Sequence, residues 1–498
     1  MMAAAPFAAR HLRLAVTTFL LGVVAATGQA PFGLWYLTLP ALAGLFALLS
    51  AQNRQKGGRA VVLAWMGGAG YFCAALSWII SPFLVDAQSH GWMAPFALVL
   101  MGFGLALFWA AAAWIGLRAR RPLLGLAVAL AGAELARGYV LTGFPWAILG
   151  HIWIDTPIGQ LAAMVGANGL SFFTAVLAAA LAGGAIWGRL AALLALAGAW
   201  AVGLWILAQP MPADTGISLR LVQPNAEQSL KWDADKAQEF YSRLTRATAA
   251  LPRPDFVIWP ETALPYVQEY NPDITADMAR AAGGATLIYG RQRIEGDRGF
   301  NSLSVLGPNG REIARYDKHH LVPFGEYIPF GDLAYDWFGL SAFAAQTGNG
   351  YSPGTGPMVI DLGPKAGKML PLICYEAVFP QDLRAGTRPD WLLHITNDAW
   401  FGTLTGPFQH AAQSRLRAIE QGLPMVRVAN TGVTAIFDAR GRLRASIPFG
   451  VESHLDSLLP APLPIPPYAS LGEWPVLVLL IGGFAAAFAA RQRRSRPY

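Results

Sequence analysis

Three short runs in the second half of the chain, two of them apolar, each stop at a side chain able to take part in acyl chemistry. Leu370-Pro371-Leu372-Ile373 leads to Cys374, followed at once by Tyr375 and Glu376. Val257-Ile258-Trp259-Pro260 leads to Glu261, and Arg315-Tyr316-Asp317 leads to Lys318, with a second carboxylate, Glu326, at the end of the loop that follows. Taken singly, each has an ordinary reading: a small core thiol, an acid at a helix N-terminus, a solvated lysine. Taken together they supply complementary parts. A thiol becomes a nucleophile when a base removes its proton, and a carboxylate in an apolar site can have its pKa raised toward that task. Acyl transfer then needs a positive group beside the oxyanion of the tetrahedral intermediate.

These residues need a framework. Short aliphatic and β-branched runs recur at Ile217–Gln223, Phe256–Trp259, Thr286–Tyr289, Ser302–Leu306, Met369–Ile373, Trp391–Thr396, Met425–Ala429 and Thr434–Phe437. Helical patterns over Asp233–Leu251 and Phe408–Gly422 separate some of them, while Pro308-Asn309-Gly310 and Ala439-Arg440-Gly441 join others as hairpins. Both kinds of connection together predict a mixed sheet covered by helices, with the candidate groups at strand ends, where catalytic groups commonly sit in α/β sheets. The Pro-containing link Gln209–Gly216 and the Pro-rich stretch Leu459–Ser470 bound this α/β domain at 209–470.

Outside those bounds the chain changes character. The 498 residues are 54% hydrophobic and 13% charged, about half the charge of an ordinary soluble domain. Of the 30 acidic residues, 26 fall within 209–470, so that segment is formally −3 and the flanks are +10. The basic residues of the flanks punctuate apolar runs, so the positive charge marks a membrane protein and gives no support to nucleic-acid binding. Eight spans are expected, near Leu12–Ala30, Trp35–Ala51, Ala60–Ile80, Pro95–Ile115, Leu123–Val140, Gly169–Trp187, Leu190–Leu207 and Pro475–Ala490. The first also resembles a signal peptide. Arg54, Lys56 and Arg59, then Arg118, Arg120 and Arg121, then Arg189, then the tail from Arg491 occupy alternate loops, whereas Asp86, His90, His151 and Asp155 occupy the others. Under the positive-inside rule this predicts residues 1–208 as a membrane domain with seven helices, 209–470 outside the cytoplasm, and 471–498 as a final helix with a cytoplasmic tail. Glu134 and Arg137 lie three apart within an apolar span, able to pair with each other or to mark a lipid head-group site. Two cysteines exclude a disulfide scaffold or a Cys-rich metal site.

The order Pro-Glu, Lys, Cys-Tyr-Glu resembles the nitrilase (carbon-nitrogen hydrolase) superfamily. Trp259-Pro260-Glu261-Thr262-Ala263, Lys318-His319-His320-Leu321-Val322-Pro323-Phe324-Gly325-Glu326 and Asn397-Asp398-Ala399-Trp400-Phe401-Gly402, framed by eight membrane spans, resemble more specifically its membrane-embedded apolipoprotein N-acyltransferase family. That resemblance implies a polytopic α-helical membrane domain joined to an α/β domain with an α-β-β-α sandwich. It implies Glu261 as general base, Lys318 as oxyanion stabiliser and Cys374 as nucleophile, with Glu326, Tyr375 and Glu376 in support. Trp232 and Trp400 match aromatic positions that help to place substrate. The implied reaction takes a fatty acyl chain from a membrane phospholipid onto Cys374 as a thioester. It then passes the chain to the α-amine of the S-diacylglyceryl cysteine at the N-terminus of an apolipoprotein, with no cofactor or metal. The implied location is the bacterial inner membrane, with the catalytic domain on the periplasmic side.

The run Tyr335-Asp336-Trp337-Phe338-Gly339-Leu340-Ser341-Ala342-Phe343 is very apolar for an outward domain. It is expected either to dip into the lipid as a lid, with Trp337, Phe338 and Phe343 as contacts, or to pack as a short core helix. Two rival functions share the same residues: a membrane-tethered nitrilase-type amidase with water as acceptor, and a non-catalytic lipoprotein-binding or transport protein.

Overall fold

In the computed structural model, residues 4–53, 57–231, 233–265, 268, 273–328 and 350–489 are described. The chain divides into two compact units, one running to Gln209 and resuming at Pro467, the other spanning Pro210–Pro466.

The first unit is helical. Its helices Ala4–Ala26, Trp35–Asn53, Gly57–Ala75, Ala94–Gly116, Pro122–Arg137, Ala162–Ala182, Ile186–Ala208 and Trp474–Phe488 each overlap one of the eight apolar runs. Among the described residues four helices are long and apolar enough to cross a membrane, or five if Gly58–Ala75 and Ser77–Leu84, bent by 63°, form one broken span. Ends differ from expectation where glycine intervenes. The helix beginning at Ala162 runs across a kink at Gly166 (φ +64), and the next starts at Ile186, so Trp187 belongs to the later helix. Glycines also let helices touch. A Cβ on Gly22 would lie 1.9 Å from the carbonyl oxygen of Gly67, and one on Gly70 would lie 2.0 Å from that of Phe19. Glu134 and Arg137 are buried and pair at 3.5 Å; Leu149 N–H also donates to Glu134, and Arg137 donates to the carbonyls of Phe144 and Trp146. The pair thus fastens the loop after its own helix to that helix's end.

The second unit has two sheets where residue patterning alone suggested one. Among the described residues the first has the order β12-β1-β2-β3-β4-β5, with β1 Ser218–Gln223, β2 Phe256–Ile258, β3 Thr286–Glu295, β4 Arg298–Leu306, β5 Glu312–Asp317 and β12 Ser453–Leu458. The second has the order β11-β10-β9-β8-β7-β6, with β6 Ile360–Asp361, β7 Lys368–Ile373, β8 Trp391–Thr396, β9 Met425–Ala429, β10 Thr434–Phe437 and β11 Leu443–Ile447. Each sheet has three parallel strands, β1-β2-β3 and β7-β8-β9, flanked by antiparallel ones. Such strands are buried on both faces, which is why they read as continuous apolar runs. Helices Ala234–Ala249 and Asp273–Ala282 cover the first sheet through Tyr241, Leu244 and Met278 against Val257, Trp259 and Leu287. Helix Gly406–Gln421 covers the second through Ala418 against Leu370, Leu372 and Leu392. The layers are helix, sheet, sheet, helix: the α-β-β-α sandwich.

Candidate active site

Each of the three chemical groups stands where a strand ends. Glu261 follows β2 in a turn pinned from both sides. The indole of Trp259 is fully buried and its N–H donates to Thr248 Oγ1 at 2.9 Å, tying the strand end to the covering helix. On the other side Gly290 of β3 lies against the turn. A Cβ there would come within 2.5 Å of the Pro260 carbonyl oxygen and 2.6 Å of Glu261 Cα, so only glycine allows the approach. The turn continues into Thr262 at φ +43, whose Oγ1 accepts from the buried Lys231 at 2.8 Å. Burial pulls the Lys231 pKa down to about 8, while Glu261 resists the fall.

Lys318 is the first residue past β5 and is 1% exposed. Its backbone N–H donates to the Asn301 carbonyl at 2.9 Å, and its Nζ lies 2.9 and 2.8 Å from the two carboxylate oxygens of Glu326 and 3.7 Å from Glu261 Oε1. Burial works against the ammonium, but the pull of Glu326 first, then of Cys374 and Glu261, outweighs it and holds its pKa above that of an ordinary lysine. Asn301, in mid-β4, ties the two carboxylates together, its Nδ2 donating to Glu261 Oε1 at 2.7 Å and Glu326 Oε1 at 3.0 Å. Glu261 Oε2 accepts the backbone N–H of Asn397, just past β8, at 2.7 Å. Both bonds hold the Glu261 carboxylate in one orientation.

Cys374 follows β7 and takes a left-handed backbone, φ +51, rare for a residue with a side chain. Burial raises its thiol pKa well above the ordinary value and Glu261 adds to the rise, while Lys318 pulls the other way. The carboxylate and the ammonium therefore both act on this sulfur. Glu376 joins the Cys374 turn to the Lys318 loop. Its Oε2 accepts Ile373 N–H at 2.7 Å, and its Oε1 accepts the N–H groups of His319 and His320 and the Tyr316 hydroxyl at 2.8, 3.2 and 2.8 Å. Tyr375 is buried and meets His320 and Phe379 edge to face. Trp400 is half-buried in the turn Asp398–Phe401. Trp232, Trp337, Phe338 and Phe343, with the whole expected lid, lie outside the described residues.

The constellation brings a buried thiol, a fixed carboxylate and a cation together in a sandwich interior, parts suited to covalent acyl transfer. Sequence reasoning passed over Asn301, Lys231 and Gly290. A signal existed for Asn301, a polar residue in a strand whose neighbours are buried. None existed for Lys231, whose burial depends on the tertiary fold.

Residues 21–180 match the family model of the apolipoprotein N-acyltransferase N-terminal domain, and residues 218–455 match that of carbon-nitrogen hydrolases. The apolipoprotein N-acyltransferase of Caulobacter vibrioides is 38% identical over 502 residues, covering 94% of this chain and 93% of its own. That of Rhodopseudomonas palustris is 36% identical, with 94% and 93% covered. A solved CN-hydrolase superfamily protein from Xanthomonas campestris is 20% identical with a TM-score of 0.36, covering 54% of this chain and 97% of the other.

Proposed function

This chain belongs to the apolipoprotein N-acyltransferase family, and from that premise we propose how its own residues perform the transfer of an acyl chain to the N-terminus of lipoproteins. Glu261 takes the thiol proton as Sγ of Cys374 attacks the ester carbonyl of a membrane phospholipid. The carbonyl electrons move onto oxygen beside the Lys318 ammonium. Collapse breaks the bond to the glycerol oxygen, and Glu261 returns the proton to that leaving group, releasing a lysophospholipid and leaving a thioester. The α-amine of an S-diacylglyceryl cysteine then attacks the thioester, Glu261 takes an amine proton, and the sulfur departs to be reprotonated as the thiol.

The single observation that carries this reading is the geometry around Lys318: its Nζ stands 3.7 Å from Glu261 Oε1, and Glu376 ties its loop to the Cys374 turn by accepting the N–H groups of His319 and Ile373. Glu326, Tyr375 and Glu376 support them, Trp232 and Trp400 help to place substrate, and Trp337, Phe338 and Phe343 bind lipid if their run serves as the lid and not as a core helix. The donor stays in the bilayer, since each CH₂ withdrawn from it costs about 0.8 kcal/mol. The reaction therefore belongs at a membrane surface, which we assign to the periplasmic face of the inner membrane. Incubation of the protein with phospholipid alone, followed by mass spectrometry, tests the first half-reaction. An acyl adduct on Cys374 is expected; an unmodified Cys374 beside turnover would overturn it. Release of free fatty acid in place of an N-acylated lipopeptide would favour the hydrolytic rival.

A further inference from the structure

Next to the backbone of Cys374 lies a buried polar cluster that the steps above do not use. His394 is on β8 and His410 is on helix Gly406–Gln421, and both are 0% exposed. Each places its Nε2 3.0 Å from the same atom, the carbonyl oxygen of Cys374. A carbonyl oxygen only accepts, so each contact is a hydrogen bond in the tautomer that carries its hydrogen on Nε2, which leaves His394 Nδ1 to accept from the Ser414 hydroxyl and His410 Nδ1 to accept from Arg427 Nη2 at 3.2 Å. Both rings are braced from behind. His394 Nδ1 lies 2.8 Å from Ser414 Oγ, and His410 Nδ1 lies 2.9 Å from Asp398 Oδ1. Asp398 is in turn clamped by Arg427 Nη2 at 2.7 and 3.0 Å. Burial opposes the Asp398 charge, but Arg427 and His410 more than offset it and hold its pKa at about 2.

A core could be filled by apolar side chains with less desolvation, so a buried cluster of this kind calls for something that it fixes. The carbonyl of Cys374 is where both imidazoles converge. The left-handed conformation of that residue is strained and persists only where surrounding groups over-determine it. Two donors from different elements, a strand and a helix, restrain one carbonyl and hence the rotation that carries the side chain.

We propose that His394 and His410 are paired positioning residues for the nucleophile, their two Nε2–H groups on the Cys374 carbonyl holding it in its left-handed conformation and aiming its sulfur at Glu261 and Lys318. The inference rests on the reading of Cys374 as nucleophile. It needs no proton transfer through either ring.

The test is single-turnover acylation of the full chain by phospholipid alone, followed as acyl-Cys374 by mass spectrometry across phospholipid concentrations, with thermal midpoints measured in parallel. His394→Leu and His410→Leu remove the donor. His394→Gln and His410→Gln keep an N–H at the same branch length. The leucine variants are expected to lower the limiting rate constant 10- to 100-fold with half-saturation unchanged, and the glutamine variants to recover it to within about threefold. A leucine variant acylating at the wild-type rate overturns the proposal, as does a glutamine variant as slow as its leucine counterpart at an equal thermal midpoint. Should the leucine variants not fold, Ser414→Ala, which frees the His394 ring to turn, decides. A several-fold slower limiting rate supports the proposal and an unchanged one overturns it. Failure of the wild type itself to form the adduct would instead remove the nucleophile assignment.

Discussion

Lys318 is paired to Glu326 more closely than to Glu261. Its Nζ sits 2.8 and 2.9 Å from the two Glu326 oxygens and 3.7 Å from the nearer oxygen of Glu261. The cation is thus held mainly by a carboxylate from its own loop. Glu261 is oriented instead by Asn301 and the Asn397 backbone. In the proposed reaction the pairing would separate two duties that a single carboxylate could not perform at once, anchoring the oxyanion stabiliser and accepting the thiol proton.

Removing the anchor's charge shifts that division. In Glu326→Gln the nearest anion left to Lys318 is Glu261, whose basicity the closer contact would lower. Acyl transfer is expected to fall about 100-fold, at the lower end of what a positioned general base contributes. Glu326→Asp, which keeps the charge one methylene short, should retain more activity. Steady-state transfer to a lipopeptide measures both, and a Glu326→Gln rate within twofold of wild type would show that the pairing has no catalytic weight.

Gly290 makes a steric prediction. A methyl group there would collide with backbone atoms of Pro260, Glu261 and Thr262. Backbone cannot yield as a flexible side chain can, so Gly290→Ala should displace Glu261. Overpacking of this sort costs about 1–3 kcal/mol, and kcat should drop more than 10-fold even where the protein remains folded. An active Gly290→Ala protein with an unchanged thermal midpoint would contradict the close approach.

His319 sets a pH dependence of stability. Burial lowers its pKa, but the hydrogen bonds and charges of Asp382 and Glu376 raise it more, to about 9. Because the folded state binds this proton more tightly than the unfolded one, the stabilisation is fully present below pH 6.5 and is lost as pH rises through about 9. The thermal midpoint of the wild type should therefore exceed that of His319→Gln at pH 6, and the gap should close by pH 9.5. A gap constant across that range would refute the linkage.

The sequence exposed the site more fully than its supports, for a physical reason. A parallel strand buried on both faces is a run of apolar residues, and the polar residue that ends it is conspicuous; Glu261 and Cys374 were visible in this way. Asn301 sits in mid-strand, and its importance comes from β4 lying where two carboxylates meet, a relation between distant segments that spacing does not encode. The strand β12 escaped for another reason. Its residues Ser453-His454-Leu455-Asp456-Ser457-Leu458 form an exposed edge with no apolar run, and it belongs to the sheet only by pairing with β1, more than 200 residues away. The resemblance to the nitrilase superfamily supplied the second sheet, which local patterning had merged into one.

The most discriminating variant is Glu261→Gln, because two measurements on it should move in opposite directions. Burial first, and the Glu261 charge second, raise the Cys374 thiol well above its ordinary pKa. The resting group is therefore a thiol, and attack on an ester has to accompany proton removal. Glutamine removes the charge that disfavours the thiolate and leaves Lys318 to favour it, so the thiol pKa should fall. Alkylation of Cys374 by iodoacetamide at pH 8 is then expected to quicken, by roughly tenfold for each unit by which the pKa falls. Acylation by phospholipid should slow by about 10²–10⁴, since the base is gone. If Glu261 acted only as a structural ligand for Asn301 and Lys318, both rates would change together with the thermal midpoint. Acylation persisting at the wild-type rate beside faster alkylation would leave Glu261 without a role as base.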